Sequence, residues 1–186
     1  MGAKSTALMI IDMQNDFVRS CGKLYVGSLA ERSIPAILSL LRKARKKSVL
    51  VVYTQDWHSK GDPEFRIWSE HCLAGSEGAE IVEELTPSEG DIRIRKTTYD
   101  PWFKTNLEEI LVNRRVRSLV ITGTVSNICV LHTAAGATIR GWDIVLPVDC
   151  ISPIEAHKDV DQAFAVRQIS TVYIGRVTTS DRIRFS

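Results

Sequence analysis

Short apolar runs rich in β-branched residues alternate along this sequence with longer stretches whose apolar residues recur at helical spacing, and that alternation admits few folds. Thr6–Ile11 reads as a buried strand. Leu29–Lys47 follows, with Ile34, Ile37, Leu38, Leu41 and Ala44 on one amphipathic stripe in which Pro35 suits only the first turn. Further strands are expected at Val49–Thr54, Asp91–Arg95, Leu119–Thr122, Trp142–Leu146 and Thr171–Ile174, and helices at Ala79–Leu85, Asn106–Val112, Ile128–Arg140 and Glu155–Gln168. Strands joined through helices pair in parallel and bury both sheet faces. The pattern therefore predicts a three-layer α/β/α architecture with a doubly wound, six-stranded, mostly parallel sheet. No linker or internal repeat interrupts it, and 186 residues suit one domain spanning 1–186.

Charge and cysteine usage narrow the function. The net charge is +2 and the basic residues are scattered, the densest groups being Arg42–Lys47 and Arg114–Arg117 at expected helix ends. A nucleic-acid binder needs a continuous basic face with interleaved aromatics, so no nucleic-acid partner is expected. No apolar run is long enough to cross a bilayer, and MGAKSTALMIIDMQ runs from one lysine into a strand without a cleavage site, so no membrane partner is expected. Cys21, Cys72, Cys129 and Cys150 form neither a CxxC pair nor a disulfide framework, which fits a reducing, cytoplasmic setting.

Ligands in open α/β sheets bind beyond the C-terminal strand ends, so residues there are site candidates. Asp12 follows the first strand, Lys96 the third, and Cys129 the fourth, inside SLVITGTVSNICVLHTAAGATIR. Ser126 and Asn127 are good N-cap types, which puts the Cys129 thiol in a first helical turn where the dipole lowers its pKa. Taken singly, Asp12 also suits a turn cap, Lys96 a surface lysine beside Arg93 and Arg95, and Cys129 a buried structural cysteine. Arg95 is a poor substitute for Lys96, because alternation places it on the opposite side of the strand.

ALMIIDMQNDF, IRKTTYDPWFKTNL and ITGTVSNICVLHTAAGA together resemble the isochorismatase-like cysteine hydrolases over nearly the whole chain. The resemblance implies a catalytic triad of Asp12, Lys96 and Cys129, an oxyanion hole from the backbone N–H groups of Val125 and Cys129, and a cis peptide at Thr124–Val125. It also implies a homo-oligomer, dimer or tetramer, acting on a small-molecule amide without an organic cofactor.

Asp56-Trp57-His58 is an i, i+2 pair that projects both side chains to one side of an extended segment, and His71 lies later in the Ser59–Gly78 loop. A carboxylate and two imidazoles suit zinc, iron or manganese. The nicotinamidase branch has a D-x-H…H metal site matching Asp56, His58 and His71, and its aromatic walls match Phe17 and Trp68, with Tyr99 and Trp102 as further candidates. The loop SKGDPEFRIW departs from that branch, offering only Asp62 and Glu64 for a fourth ligand. His132 and His157 lack matching partners and read as structural. The leading expectation is a cysteine amidohydrolase releasing ammonia from a small carboxamide, nicotinamide first. An N-carbamoylsarcosine amidase-like hydrolase of a ureido compound is the alternative, and a non-catalytic binding protein or thiol redox protein the alternative of another class. Isochorismatase proper is disfavoured, because vinyl-ether hydrolysis needs no thiol nucleophile.

Overall fold

Strand β1 (Thr6–Ile11) is buried along its whole length, and its alternation divides the molecule. Leu8 and Ile10 pack into one apolar cluster with Ile34, Ile37, Leu40 and Leu41, while Ala7, Met9 and Ile11 pack into a second with Leu107, Leu111, Val130, Ala134 and Ile169. The structure, a computed structural model, describes residues 1–186. The first cluster lies under the short helix α1 (Asn15–Val18) and the long helix α2 (Ser28–Lys46). The second lies under α3 (Leu107–Asn113), α4 (Leu131–Ile139) and α5 (Lys158–Thr171), which completes the three layers.

Strands β2 (Leu50–Asp56), β3 (Ile92–Lys96), β4 (Ser118–Thr124), β5 (Asp143–Pro147) and β7 (Arg176–Thr178) join β1 in the order β3-β2-β1-β4-β5-β7. The two-residue strand β6 (Ile151–Ser152) pairs with β4 beside that path. Every strand pairing in this sheet is parallel. From β1 the chain winds one way through β2 and β3, and from β4 the other way through β5 and β7. The reversal lies between β1 and β4, the switch point at which such sheets take their ligands. Close approach there needs Gly123, whose φ is 110° and where a Cβ would fall 2.0 Å from the Ile11 carbonyl oxygen.

The structure corrects several expectations. Thr171–Ile174 is not a strand: Thr171 ends α5, Ile174 has a left-handed φ of 53°, and the Gly175 N–H returns to the Ile169 carbonyl at 2.8 Å. Its β-branched residues Val172 and Ile174 are exposed beyond the helix end, and the edge strand is Arg176–Thr178. Ala79–Leu85 is two single turns, Glu77–Ala79 and Glu83–Leu85, separated by residues that pair with the chain after β1, Val82 N–H donating to the Met13 carbonyl at 2.9 Å. Pro35 lies well inside α2 rather than in its first turn, denying the Glu31 carbonyl its donor on the exposed side of the helix. The sheet has seven strands rather than six, because Ile151–Ser152 is too short to show a period.

Candidate active site

The ends of β1, β2, β3 and β4 bring an acid, a second acid, a base and a thiol to one rim. Asp12 leaves β1 with φ 48°, is fully buried, and accepts the Thr54 hydroxyl on Oδ1 at 2.5 Å. Its Oδ2 lies 2.8 Å from Lys96 Nζ. Lys96, the last residue of β3, also pairs with Asp56 and stands 3.9 Å from Cys129 Sγ. Arg95 turns the other way, exposed, with its guanidinium 3.9 Å from the Trp57 ring centroid.

One ammonium between two buried carboxylates separates their titrations. At Asp12 burial wins over Lys96 and pushes the carboxyl above its usual range. At Asp56 burial is outweighed by Lys96, His58 and His71, which hold it far below that range. Burial of Lys96 is likewise outweighed by Asp12 and Asp56, so its ammonium is held well above the usual lysine value.

The nucleophile segment differs from the expected capped helix. Ser126–Val130 forms one wide turn before α4, with the Val130 N–H donating to the Val125 carbonyl at 3.2 Å. Neither Ser126 nor Asn127 caps it. Ser126 instead donates its hydroxyl to Gln162 of α5 at 2.8 Å, and Thr133 ties the Cys129 carbonyl at 2.7 Å. Burial pushes the Cys129 thiol well above its usual value, with Lys96 opposing and the two aspartates adding. Burial is the largest influence on the thiol, so it stands above its usual value, where a helix start alone would place it below. The peptide bond Thr124–Val125 is cis, where the resemblance places it, and the Val125 N–H donates to no protein group.

Beside the Lys96 cluster, ligand atoms of Asp56, His58, Glu64 and His71 lie within 4.8 Å of one another. His58 and His71 Nε2 stand 3.8 and 3.6 Å from Asp56 Oδ2. Fully buried His58 completes a hydrogen bond through neither ring nitrogen. An orphaned imidazole among carboxylates fits a divalent ion, and the four donors match the nitrogen and oxygen set such ions take. Glu64, half-buried and with its carboxyl pushed up by burial and Asp56, joins the three expected ligands.

Cys129, Asp56, Glu64 and His71 share a cavity of about 160 Å³ with Phe17, Trp68 and Tyr99. The model of the isochorismatase domain matches residues 6–182 of this sequence. The chain belongs to the isochorismatase family. The isochorismatase family protein YaaI of Bacillus subtilis is 30% identical over 183 residues, 98% of each chain. Among solved structures, N-carbamoylsarcosine amidase from Thermoplasma acidophilum is similar at TM-score 0.86 and 32% identity, covering 96% of this chain and 98% of that one. Nicotinamidase PncA from Bacillus subtilis is similar at TM-score 0.87 and 28% identity, over 94% and 99%.

In this isochorismatase-family hydrolase, one expected wall residue is misplaced. Trp102 does not reach the cavity: it stacks on Trp142 at 5.1 Å, donates its indole N–H to the Thr133 carbonyl at 3.1 Å, and presses on Gly136 of α4. Leu24, Tyr25, Val26, Ile128 and Ile154 line the cavity instead. They come from loops and a helix start whose apolar residues carry no periodic signal. His132 and His157 are exposed, His132 bonding the Ile128 carbonyl within its own helix at 2.7 Å. Trp102→Ala should cost about 3–5 kcal/mol in folding stability, the usual range for a buried tryptophan, with KM little changed. Trp68→Ala should leave the melting temperature within a few degrees and raise KM, so paired thermal melts and kinetics separate core from wall.

Proposed function

We propose that this chain is a cysteine amidohydrolase that releases ammonia from a small, neutral, planar carboxamide, nicotinamide being the first to try. The observation that carries the reading is one cavity holding the thiol, aromatic walls and the acids Asp56 and Glu64, with no lysine or arginine among its lining residues. Apolar and aromatic walls suit a flat neutral ring. No lysine or arginine lines the cavity to pair with the carboxylate a carbamoyl amino acid would bring, which favours a neutral amide over an N-carbamoylsarcosine-like substrate.

The amide carbon is attacked by Cys129 Sγ while Asp12, which faces the thiol directly, takes its proton. The resulting oxyanion receives the Val125 and Cys129 N–H groups. Collapse breaks the C–N bond, Asp12 returns the proton to nitrogen, and ammonia leaves a thioester on Cys129. Water then attacks the thioester with Asp12 as base, the C–S bond breaks, and the thiol regains its proton. Lys96 remains an ammonium throughout, holding the two carboxylates together and favouring the developing thiolate. Bound at Asp56, His58, Glu64 and His71, a divalent ion would supply a Lewis acid beside the substrate.

Two measurements test the reading. A panel of neutral amides and carboxylate-bearing ureido compounds, assayed for ammonia with and without chelator, should show turnover of the neutral amides and loss of it on chelation, with KM for any residual activity raised. Preference for the ureido acids would overturn the substrate assignment. The base must be ionised to accept a proton, so kcat/KM should fall with acid along a limb set by Asp12. Because Asp12 is raised, that limb should lie above the ordinary aspartate value of about 3.9. A profile flat down to pH 4 would remove Asp12 as base.

A further inference from the structure

Asp62 touches two of the four candidate ligands at once. Its Oδ1 accepts the Glu64 N–H at 2.9 Å, capping the Pro63–Arg66 turn that carries Glu64. Its Oδ2 stands 3.2 Å from His58 Nδ1. We infer that Asp62 is a positioning residue for metal binding, holding the His58 proton on Nδ1 so that Nε2 is offered to the ion, and fixing the turn that presents Glu64. The inference rests on the metal reading above.

A neutral imidazole carries one N–H, and the acceptors around it decide which nitrogen keeps the proton. Neither His58 nitrogen completes a hydrogen bond, but Nδ1 lies nearer to a carboxylate, 3.2 Å from Asp62 Oδ2 against 3.8 Å from Nε2 to Asp56 Oδ2, so a proton on Nδ1 is the one an acceptor attracts. His71 obeys the same rule with a different partner. Its Nδ1 lies 2.7 Å from the Ser69 carbonyl, which can only accept, and its Nε2 faces Asp56 at 3.6 Å. Both histidines thus present the same atom to Asp56, one held by backbone and the other by a single side chain. Outer partners of this kind orient the ring and raise ligand basicity. With the Asp62 carboxylate only 11% exposed and Pro63 restricting the turn, one oxygen is bonded to the Glu64 N–H and the other is held against His58 Nδ1.

Competition titration of zinc against a chromophoric chelator, with the wild type, Asp62→Asn and Asp62→Ala, tests this. Both variants should bind zinc about 10–100-fold more weakly than wild type, the usual cost of losing such a partner, while metal-free melting temperatures stay within a few degrees. Asparagine should not rescue, because its one oxygen must abandon either the Glu64 N–H or His58 Nδ1. In ¹⁵N spectra of the metal-free proteins, recorded at a pH where His58 is neutral, Asp62→Asn should move His58 away from the Nδ1–H form while His71 keeps it, a readout that holds if the alanine variant is unstable. A wild type that takes up no zinc overturns the metal reading and this inference with it. Wild-type uptake with equal affinity in both variants and an unchanged His58 signal overturns this inference alone.

Discussion

Cys129→Ala should abolish ammonia release, lowering kcat by roughly 10⁴–10⁶-fold, the range seen when a nucleophile is removed from a hydrolase whose binding groups remain. The size follows from what stays behind. Phe17, Trp68 and Tyr99 still line the cavity, so KM should change little, and no other thiol should reach the carbonyl. Cys72 is buried against the Gly78 carbonyl, Cys150 beside Asp149, and Cys21 is exposed. Alanine removes one sulfur from a site already buried and hydrogen-bonded around its backbone, so the melting temperature should hold. Steady-state kinetics with a thermal melt decide it, and a variant retaining a tenth of wild-type kcat would transfer the chemistry to another group.

Lys96→Met should damage stability as well as activity. The ammonium stands between Asp12 and Asp56, all three buried, and its loss leaves two carboxylates facing each other without a counter-charge. Breaking a buried ion pair by removing one partner costs about 3–5 kcal/mol. The deficit should depend on pH in a definite direction. In the wild type Asp56 is held low, so its contribution is present at neutral pH and is lost as pH falls through the carboxylate range. Without Lys96 both carboxyls lose the largest opposition to their burial and shift upward, Asp12 further above its unfolded value, and a carboxyl raised in this way destabilises the fold increasingly as pH rises from about 4. The gap in melting temperature between wild type and variant should therefore narrow from pH 8 to pH 5. A gap that widens toward acid would contradict the charge arrangement.

Much of this was legible in the sequence because the signals were periodic or ordered along the chain. Alternation at Thr6–Ile11 and the stripe through Ile34, Ile37 and Leu41 gave the layers, and the strand ends gave Asp12, Asp56 and Lys96. The i, i+2 pairing of Asp56 and His58 survives in the folded cluster. What was missed has no period. Thr171–Ile174 has strand-like residues, yet only the left-handed Ile174 and the return of the Gly175 N–H to Ile169 show a helix ending there. Trp102 sits in a motif beside Lys96, but its partner Trp142 is distant in sequence and claims it for the core. The burial that raises the thiol is likewise non-local: a helix start is local, whereas Asp12, Asp56 and Lys96 come to Cys129 from three other strands.

The central claim is a covalent bond between Cys129 and the acyl part of a small amide. Rapid acid quenching of turnover, followed by intact-protein and peptide mass spectrometry, reads it directly. The account predicts a transient mass gain equal to the amide less ammonia, confined to the peptide containing Cys129 and absent from Cys129→Ala. Full turnover with Cys129 unmodified at every quench time, or an adduct on another residue, would contradict it.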